Sequence, residues 1–247
     1  MRNPHPEFQS RDVQTDVVSG TRNRLLKLLP DQEATRLRSV ADLVTIKTRD
    51  LIWESEGPIT DVYFPEDAII SLVTQMKDGS GVEAMTIGND GFAGLAVFHG
   101  LDSTQCLACG QISGTAWRLS TEKFRQVVAE CPTLQRLLHQ YSHLVFEIVS
   151  QAAACNRLHV IEQRCARWLL MSEDRVGRPK FDLTQEFLAE MLGVRRPGVT
   201  VAMGILEKQG LISHGRGNIT VIDRAGLERA SCECYAKITR RQNELLS

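Results

Sequence analysis

The chain has 247 residues, 43% hydrophobic and 24% charged, which is enough for two domains with sizeable cores. Its net charge of −1 does not by itself indicate a charged partner. No run of eighteen apolar residues occurs, and the N-terminus lacks an apolar signal core, so we expect a cytoplasmic protein without membrane contact. Seven cysteines, an odd number in a chain without an export signal, argue against a disulfide framework.

The first half of the chain predicts a β-domain. Residues 1–20 are polar, contain Pro4 and Pro6, and predict a flexible arm. Two short leucine-rich helices, broken at Pro30, should follow and begin a sensor domain over residues 21–131. Short apolar runs then alternate with Gly- and Asp-rich turns, which is typical of an antiparallel sandwich or barrel able to enclose one small ligand. The predicted strands are Leu43–Ile46, Leu51–Trp53, Val62–Phe64, Ala68–Val73, Val82–Ile87, Cys106–Cys109 and Thr115–Leu119.

A heptad pattern begins after Pro132 and predicts a long helix with a hinge, over residues 132–158. Its apolar positions alternate in steps of four and three: Leu134, Leu138, Tyr141, Val145, Ile148, Ala152 and Cys155. Such strict spacing favours a dimer seam with a second copy. The alternative is a helix packed on its own barrel, whose core face would look similar. A further helix should run from about Val160 to Arg175.

The stretch from Leu183 to Leu211 predicts two short helices joined by a turn at Gly193. Thr184 is a good N-cap for the first helix, and the second should run from about Arg195 to Lys208, with Pro197 tolerated in its first turn. This pattern is a helix-turn-helix, in which the second helix enters the DNA major groove by its N-terminal end. An ordinary helical hairpin with solvated arginines is the alternative.

The residues after the second helix favour DNA binding. Two short strands flank the turn Gly215-Arg216-Gly217-Asn218, which predicts the wing of a winged helix. From Arg157 to Ser247 the chain has 15 basic and 11 acidic residues, so the region of the helix-turn-helix carries +4 while the remainder carries −5. We predict a DNA-binding domain over residues 159–247, contacting DNA through Thr184, Gln185, Arg195, Arg196, Pro197, Thr200, Val201 and Arg216.

The order of barrel, long helix and winged helix resembles the Crp/Fnr family of bacterial transcription regulators from about Asn23 onward. The most specific segments are RCARWLLMSEDRVG, LTQEFLAEMLGVRRPGVTVA and ITVIDRAGLERASCECY; VYFPEDAIISLV and GNDGFAGLAVF are similar to the family's cyclic-nucleotide-binding-like β-roll. The resemblance implies an α+β fold, with an antiparallel β-roll (cupin-like) joined by a dimerisation helix to a winged helix-turn-helix. It also implies an effector-gated homodimer on a palindromic operator, with RNA polymerase as a further partner.

The chain departs from this family where cyclic nucleotides bind. Members that bind them use a Gly-Glu pair for the ribose and an arginine for the phosphate; here the turn Gly91-Phe92-Ala93-Gly94 has no Glu, and the arginine position falls at about Thr104. No arginine lies between Gly88 and Ala116. A buried phosphate without a charged partner is costly, so we expect no tight binding of cyclic AMP. The effector is unknown, with a candidate pocket turn at Gly91, Phe92, Gly94 and Thr104.

The DNA-reading positions also depart from the best-known members, which carry Arg, Glu and Arg. The matching residues here are Arg196, Pro197 and Val201. Arg196 keeps a possible guanine contact, whereas Pro197 cannot accept a hydrogen bond from cytosine, so the operator should differ.

The sequence predicts no catalytic residues, no cofactor and no metal site. Iron–sulfur relatives use an N-terminal cysteine cluster, and this chain has no cysteine before Cys106. We interpret Cys106-x-x-Cys109 and Cys232-x-Cys234 as ordinary core residues, and the pair His139 and His143 as solvated or barrel-facing. Two alternatives remain open: a ligand-independent regulator of the same fold, and a barrel enzyme or protein-interaction module whose winged helix does not bind DNA.

Overall fold

The computed structural model describes residues 20–215 and 217–246. The predicted N-terminal arm therefore lies outside the described residues except for Gly20, and so does Arg216 at the predicted tip of the wing. Within the described residues, no helix has the length and apolar character needed to cross a membrane.

The helices are α1 (Arg24–Lys27), α2 (Asp31–Arg38), α3 (Leu95–Phe98), α4 (Thr121–Glu130), α5 (Pro132–Leu158), α6 (Ile161–Val176), α7 (Gln185–Leu192), α8 (Arg196–Lys208), α9 (Arg224–Ala230) and α10 (Cys234–Leu245). The strands are β1 (Asp42–Ile46), β2 (Leu51–Trp53), β3 (Asp61–Pro65), β4 (Ile69–Gln75), β5 (Gly81–Ile87), β6 (Cys106–Ile112), β7 (Gly114–Ser120), β8 (Lys180–Asp182), β9 (Ile212–His214) and β10 (Asn218–Val221).

The first half of the chain forms two antiparallel sheets, ordered β1-β7-β3 and β2-β6-β4-β5. All strands predicted in this half are present, and the β-roll is confirmed. Its core includes Phe64, Phe92 and Phe124, with ring centroids 4.6 Å apart for the first two and 5.0 Å apart for the last two. The sequence analysis missed α3 and α4, although Ser120 caps α4 by accepting a hydrogen bond from the Lys123 backbone N–H.

Helix α5 has 27 residues and packs its predicted seam against its own chain. This corrects the prediction of a dimer seam, because the core already covers these positions. Five of the seven are at most 5% exposed in the single chain: Leu134, Leu138, Tyr141, Ile148 and Cys155. The remaining two, Val145 and Ala152, are half-buried. The alternative interpretation, a helix packed on its own barrel, describes these positions.

The second half of the chain is a winged helix. Helices α6, α7 and α8 share one core with the three-stranded sheet β8-β10-β9. Strand β8 was not predicted because its three residues have too little apolar pattern, but it pairs with β10 from Lys180 to Asp182. Helix α10 returns to α5, and its Ile238 joins the core of the β-roll.

The two halves meet at a buried group of polar residues, Thr86, Asp90, Arg175 and Gln242, which we call the arginine–aspartate cluster. Nε of Arg175 lies 3.0 Å from each carboxylate oxygen of Asp90, and Nη1 donates to Oγ1 of Thr86. Nε2 of Gln242 on α10 donates to Asp90 Oδ2 at 2.5 Å. Gly88 makes room for Arg175, since a Cβ there would come within 2.6 Å of the arginine side chain. A buried, hydrogen-bonded ion pair thus joins α6 to the β-roll, and Gln242 links α10 to the same carboxylate.

Candidate nucleic-acid interface

The helix-turn-helix forms where the sequence predicts it. Oγ1 of Thr184 accepts a hydrogen bond from the Phe187 backbone N–H at 3.2 Å and caps α7. Helix α7 buries Leu188 and Met191, and the chain turns at Gly193, whose φ of 62° lies in the left-handed region. The predicted cap, apolar face and turn residue are therefore all found in place.

Helix α8 begins at Arg196 and contains proline in its first turn, where the missing N–H costs no intrahelical hydrogen bond. Its inward face is Val199, Met203 and Leu206, all at most 1% exposed. Because these residues hold one face against the core, the opposite face points outward. Val201 on that face is 59% exposed.

The predicted DNA contacts gather at the N-terminal ends of α7 and α8. Arg195, Arg196, Pro197 and Thr200 are exposed. Oγ1 of Thr200 lies 2.8 Å from Oε1 of Gln185, which links the two helices. In the part of the chain that the structure describes, no carboxylate lies within 4.0 Å of either arginine. Their guanidinium groups can therefore bind phosphate or the O6 and N7 atoms of guanine.

The base of the wing lies beside α7. The backbone N–H of Leu183 donates to the carbonyl of Gly217 at 2.9 Å, and a Cβ on Gly217 would come within 3.9 Å of the Thr184 side chain. Strands β9 and β10 pair from His214 and Ile219 onward, as the turn signal predicts. The wing therefore extends the surface formed by the starts of α7 and α8, and the contact predicted for Arg216 falls outside the described residues.

The candidate effector turn is packed into the core of the β-roll. Phe92 is 0% exposed in its aromatic stack, so the prediction that it lines an open pocket is corrected. Gly91 is buried beneath Tyr141, whose hydroxyl would clash with an added Cβ. Gly94 is also buried, with a φ of 152°, and an added Cβ there would clash with Val62. Thr104 is half-buried and accepts a hydrogen bond from the Glu56 backbone N–H through its carbonyl.

The cysteines and histidines separate into two groups. Cys106 and Cys109 are half-buried on β6, and burial raises the pKa of the Cys109 thiol to about 11. His139 packs edge-on against Phe98, with ring centroids 4.8 Å apart, and the exposed His143 faces Glu147. These positions agree with ordinary packing or solvation.

The second group consists of three buried cysteines and one half-buried histidine that were not predicted to lie together: Cys155, His159, Cys232 and Cys234. We call it the thiol cluster. The Sγ atoms of Cys155 and Cys232 are 3.5 Å apart, and the hydrogen bond they share lowers the pKa of Cys155 although burial opposes it. Sγ of Cys234 lies 3.6 Å from Nδ1 of His159.

Comparisons with known proteins agree with this architecture. Residues 163–230 match the model of the Crp-like helix-turn-helix domain. A search of curated protein sequences gave no match. Among solved structures, the chain is similar to FixK2 from Bradyrhizobium japonicum, with a TM-score of 0.63 and 15% identity over 78% of this chain and 98% of that one.

Two further structures show the same fold. A transcriptional regulator of the CRP family from Thermus thermophilus aligns with a TM-score of 0.63 and 17% identity, over 76% of this chain and 96% of that one. The c-di-GMP responsive global regulator CLP from Xanthomonas campestris aligns with a TM-score of 0.60 and 15% identity, over 78% of this chain and 99% of that one.

Proposed function

Because the chain carries a Crp-like helix-turn-helix domain on the fold of the Crp/Fnr regulators, we propose that it is a transcription regulator that binds a palindromic operator as a homodimer. The observation that carries this proposal is the exposed N-terminal end of α8. Arg195 and Arg196 stand there, and none of the described carboxylates pairs with either of them. Two such ends should fit half-sites about 34 Å apart, one turn of DNA.

Selection of DNA from a random library by the purified, reduced protein tests the DNA-binding part of the proposal. We expect a palindrome with half-sites one helical turn apart. Recovery of only salt-sensitive, non-specific DNA would contradict operator binding by the ligand-free protein.

The role of Arg196 can be tested on the selected operator. The substitution Arg196→Ala should cost about 1–3 kcal/mol of binding free energy at one base pair of each half-site. Arg136→Ala is the matched control, because Arg136 is an exposed arginine on α5, far along the chain from the helix-turn-helix. An equal loss on all DNA sequences would make Arg196 a phosphate contact instead of a base contact.

An exposed apolar face of α5 supports the homodimer. Phe146 is 70% exposed and Val149 is 37% exposed, and Ala153 continues the same stripe at helical spacing. These residues lie one position further along the helix than the predicted seam, on the side that the chain's own core leaves uncovered. An apolar stripe with alternating steps of three and four suits a partner helix.

The substitution Phe146→Glu tests this surface, with the oligomeric state measured by light scattering. We expect it to convert a dimer into a monomer, whereas Leu51→Glu, at a 54% exposed leucine on β2, should leave the dimer intact. If the Phe146→Glu protein is still dimeric at micromolar concentration, the dimer interface does not include this face of α5.

The proposed effector is a small molecule other than cyclic AMP, and a ligand-independent regulator is the rival version. The absence of arginine between Gly88 and Ala116, together with the buried turn at Phe92, supports this part of the proposal. One similar protein, CLP, is described as responsive to c-di-GMP, so this fold accommodates other signals. Micromolar binding of cyclic AMP by calorimetry would contradict the expectation.

A further inference from the structure

The thiol cluster gathers four side chains from two distant parts of the sequence. Cys155 lies in the last turn of α5 and His159 caps that helix, while Cys232 lies between α9 and α10 and Cys234 is the first residue of α10. Cys155 and Cys232 are 77 positions apart in the chain. One ligand-type atom from each residue, three Sγ and one imidazole nitrogen, falls within 4.8 Å of all the others.

The distances match a single four-coordinate ion. Zinc binds thiolate at about 2.3 Å and imidazole at about 2.0–2.1 Å in a tetrahedron, so two sulfurs should be roughly 3.8 Å apart and a sulfur and a nitrogen roughly 3.5 Å apart. The observed separations are 3.5 Å for Cys155 and Cys232, and 3.6 Å for Cys234 and His159. An iron–sulfur cluster fits less well, since its ligands bind different irons and stand farther apart.

The residues around the thiol cluster are arranged as in a metal site. Nδ1 of His159 faces the thiols, and Nε2 lies 3.0 Å from a carboxylate oxygen of Glu233. A carboxylate on the outer nitrogen of a ligating histidine fixes the tautomer and orients the ring. Nε2 of Gln151 donates to Sγ of Cys234 at 3.0 Å, a hydrogen bond that suits a metal-bound thiolate.

The charge of the residues near the thiol cluster is complementary to that of a metal–thiolate group. Three thiolates and one divalent ion carry a net charge of −1. Arg164 and Arg167 are buried, at 6% and 8% exposed, and interact electrostatically with Cys155. Among the described residues neither arginine has a salt-bridge partner, and the Nε atom of each lacks a hydrogen-bond partner. A buried cation requires a compensating charge, and the metal–thiolate group would supply it.

We propose that Cys155, His159, Cys232 and Cys234 bind one Zn²⁺ ion, which fixes the hinge between α5 and the winged helix. All four coordination positions are filled by protein, so the ion is structural and leaves no open position for catalysis. The same ion also ties the connection before α10 to the end of α5. The site is independent of DNA binding, so its test does not rest on the proposed function.

The test begins with the full-length protein, purified under reducing conditions and measured for metal content. We expect about one zinc ion per chain, and exchange for Co²⁺ should give the spectrum of a tetrahedral site with thiolate-to-metal charge-transfer bands. The Cys109→Ser variant is the matched control, because Cys109 is a half-buried cysteine outside the thiol cluster. It should keep its zinc, whereas Cys234→Ser should lose most of it.

Since Cys234→Ser could fail to fold, His159→Cys provides a second variant. It keeps four ligands, so the cobalt-loaded protein should show stronger charge-transfer absorption, in line with a fourth thiolate. Three results would overturn the proposal: a reduced wild-type protein that binds neither zinc nor cobalt, a cobalt spectrum unchanged in His159→Cys, or a native Cys155–Cys232 disulfide found by mass spectrometry. Iron and sulfide in place of zinc would equally refute it.

Discussion

Two buried polar clusters join the halves of this chain, but they are completed in different ways. In the arginine–aspartate cluster, Arg175 and Asp90 cancel each other's charge. Thr86 accepts a hydrogen bond from Arg175, and Gln242 donates one to Asp90. In the thiol cluster, soft ligands face one another and the nearest buried cations, Arg164 and Arg167, have no salt-bridge partner among the described residues.

This difference distinguishes a structural contact from a ligand site. Buried polar groups in native proteins are nearly always paired. A cluster whose charged and polar groups are paired within the chain needs no ligand, so the arginine–aspartate cluster is explained by the fold alone. The thiol cluster lies beside two buried arginines without salt-bridge partners among the described residues, and a divalent metal on three thiolates would add the charge that complements them.

The largest effect should follow from breaking the cluster that is already complete. Replacing Arg175 by Met leaves Asp90 buried without its counter-charge, which should lower the free energy of unfolding by about 3–5 kcal/mol. Urea denaturation measures the loss. A double variant that also carries Asp90→Leu should recover much of the stability, because a buried ion pair replaced by apolar groups is often neutral. A loss below about 1 kcal/mol in Arg175→Met would show that the pair contributes little.

Removal of metal should destabilise the protein through the thiol cluster alone. A chelator is expected to lower the free energy of unfolding by about 2.7 kcal/mol if zinc is otherwise present at a hundred times its dissociation constant. Adding zinc back should restore the midpoint measured by thermal or urea unfolding. The Cys234→Ser variant should not respond to the chelator, whereas Arg175→Met should respond as the wild type does. If the chelator also destabilises the Cys234→Ser variant, the metal binds outside the thiol cluster.

A smaller effect is expected from the uncompensated arginines. Arg167→Met keeps the buried volume but removes a cation near Cys155, so zinc affinity should fall about tenfold. Competition with a chromophoric chelator measures this change. Lys123→Met, at an exposed cation on α4, is the control and should leave the affinity unaltered. Unchanged affinity in Arg167→Met would remove the argument that this arginine compensates the site.

The helix-turn-helix could be predicted because its information is local. The cap at Thr184, the turn at Gly193 and the start of α8 at Arg196 fall within one short stretch, where helix spacing and turn chemistry determine the structure. The strands of the β-roll were found for the same reason. Strand β8 was missed because its three residues carry too little apolar pattern.

The residues predicted as a dimer seam are buried within the chain because α5 has two apolar stripes. Leu138 and Ile148 are spaced as a seam but are buried within the chain, whereas Phe146 and Val149 are exposed. Heptad spacing alone cannot separate a stripe that covers the helix's own domain from one that covers a partner.

The thiol cluster was missed because its two halves were judged separately. Cys155 and His159 are four positions apart at the end of α5, where His159 is the residue that follows the helix, and Cys232-x-Cys234 is a second close pair. Each half alone is weak evidence for a metal site. The signal that could have identified the thiol cluster was the combination of two close pairs of ligand-type residues that are far apart in the sequence.

Glu83 is a buried carboxylate that interacts electrostatically with both Arg175 and Arg167. Its carboxylate accepts hydrogen bonds from Ser71 at 2.7 Å, Gln111 at 2.6 Å and Trp168 at 3.2 Å. Burial nevertheless raises the pKa of Glu83 above its ordinary value, despite these contacts and the two arginines. The folded protein should therefore lose stability as the pH rises from the unfolded pKa of about 4.3 through the folded pKa.

The substitution Glu83→Gln removes this titration, so its unfolding free energy should decline less over the same range of pH. An amide can be accommodated, because Oε1 of Gln111 has no hydrogen-bond partner among the described residues and can accept from it after a flip of its own amide. The difference between variant and wild type should be at most about 1.4 kcal/mol per unit of pKa shift, measured by urea denaturation from about pH 4 to 8. Parallel curves would mean that Glu83 titrates normally.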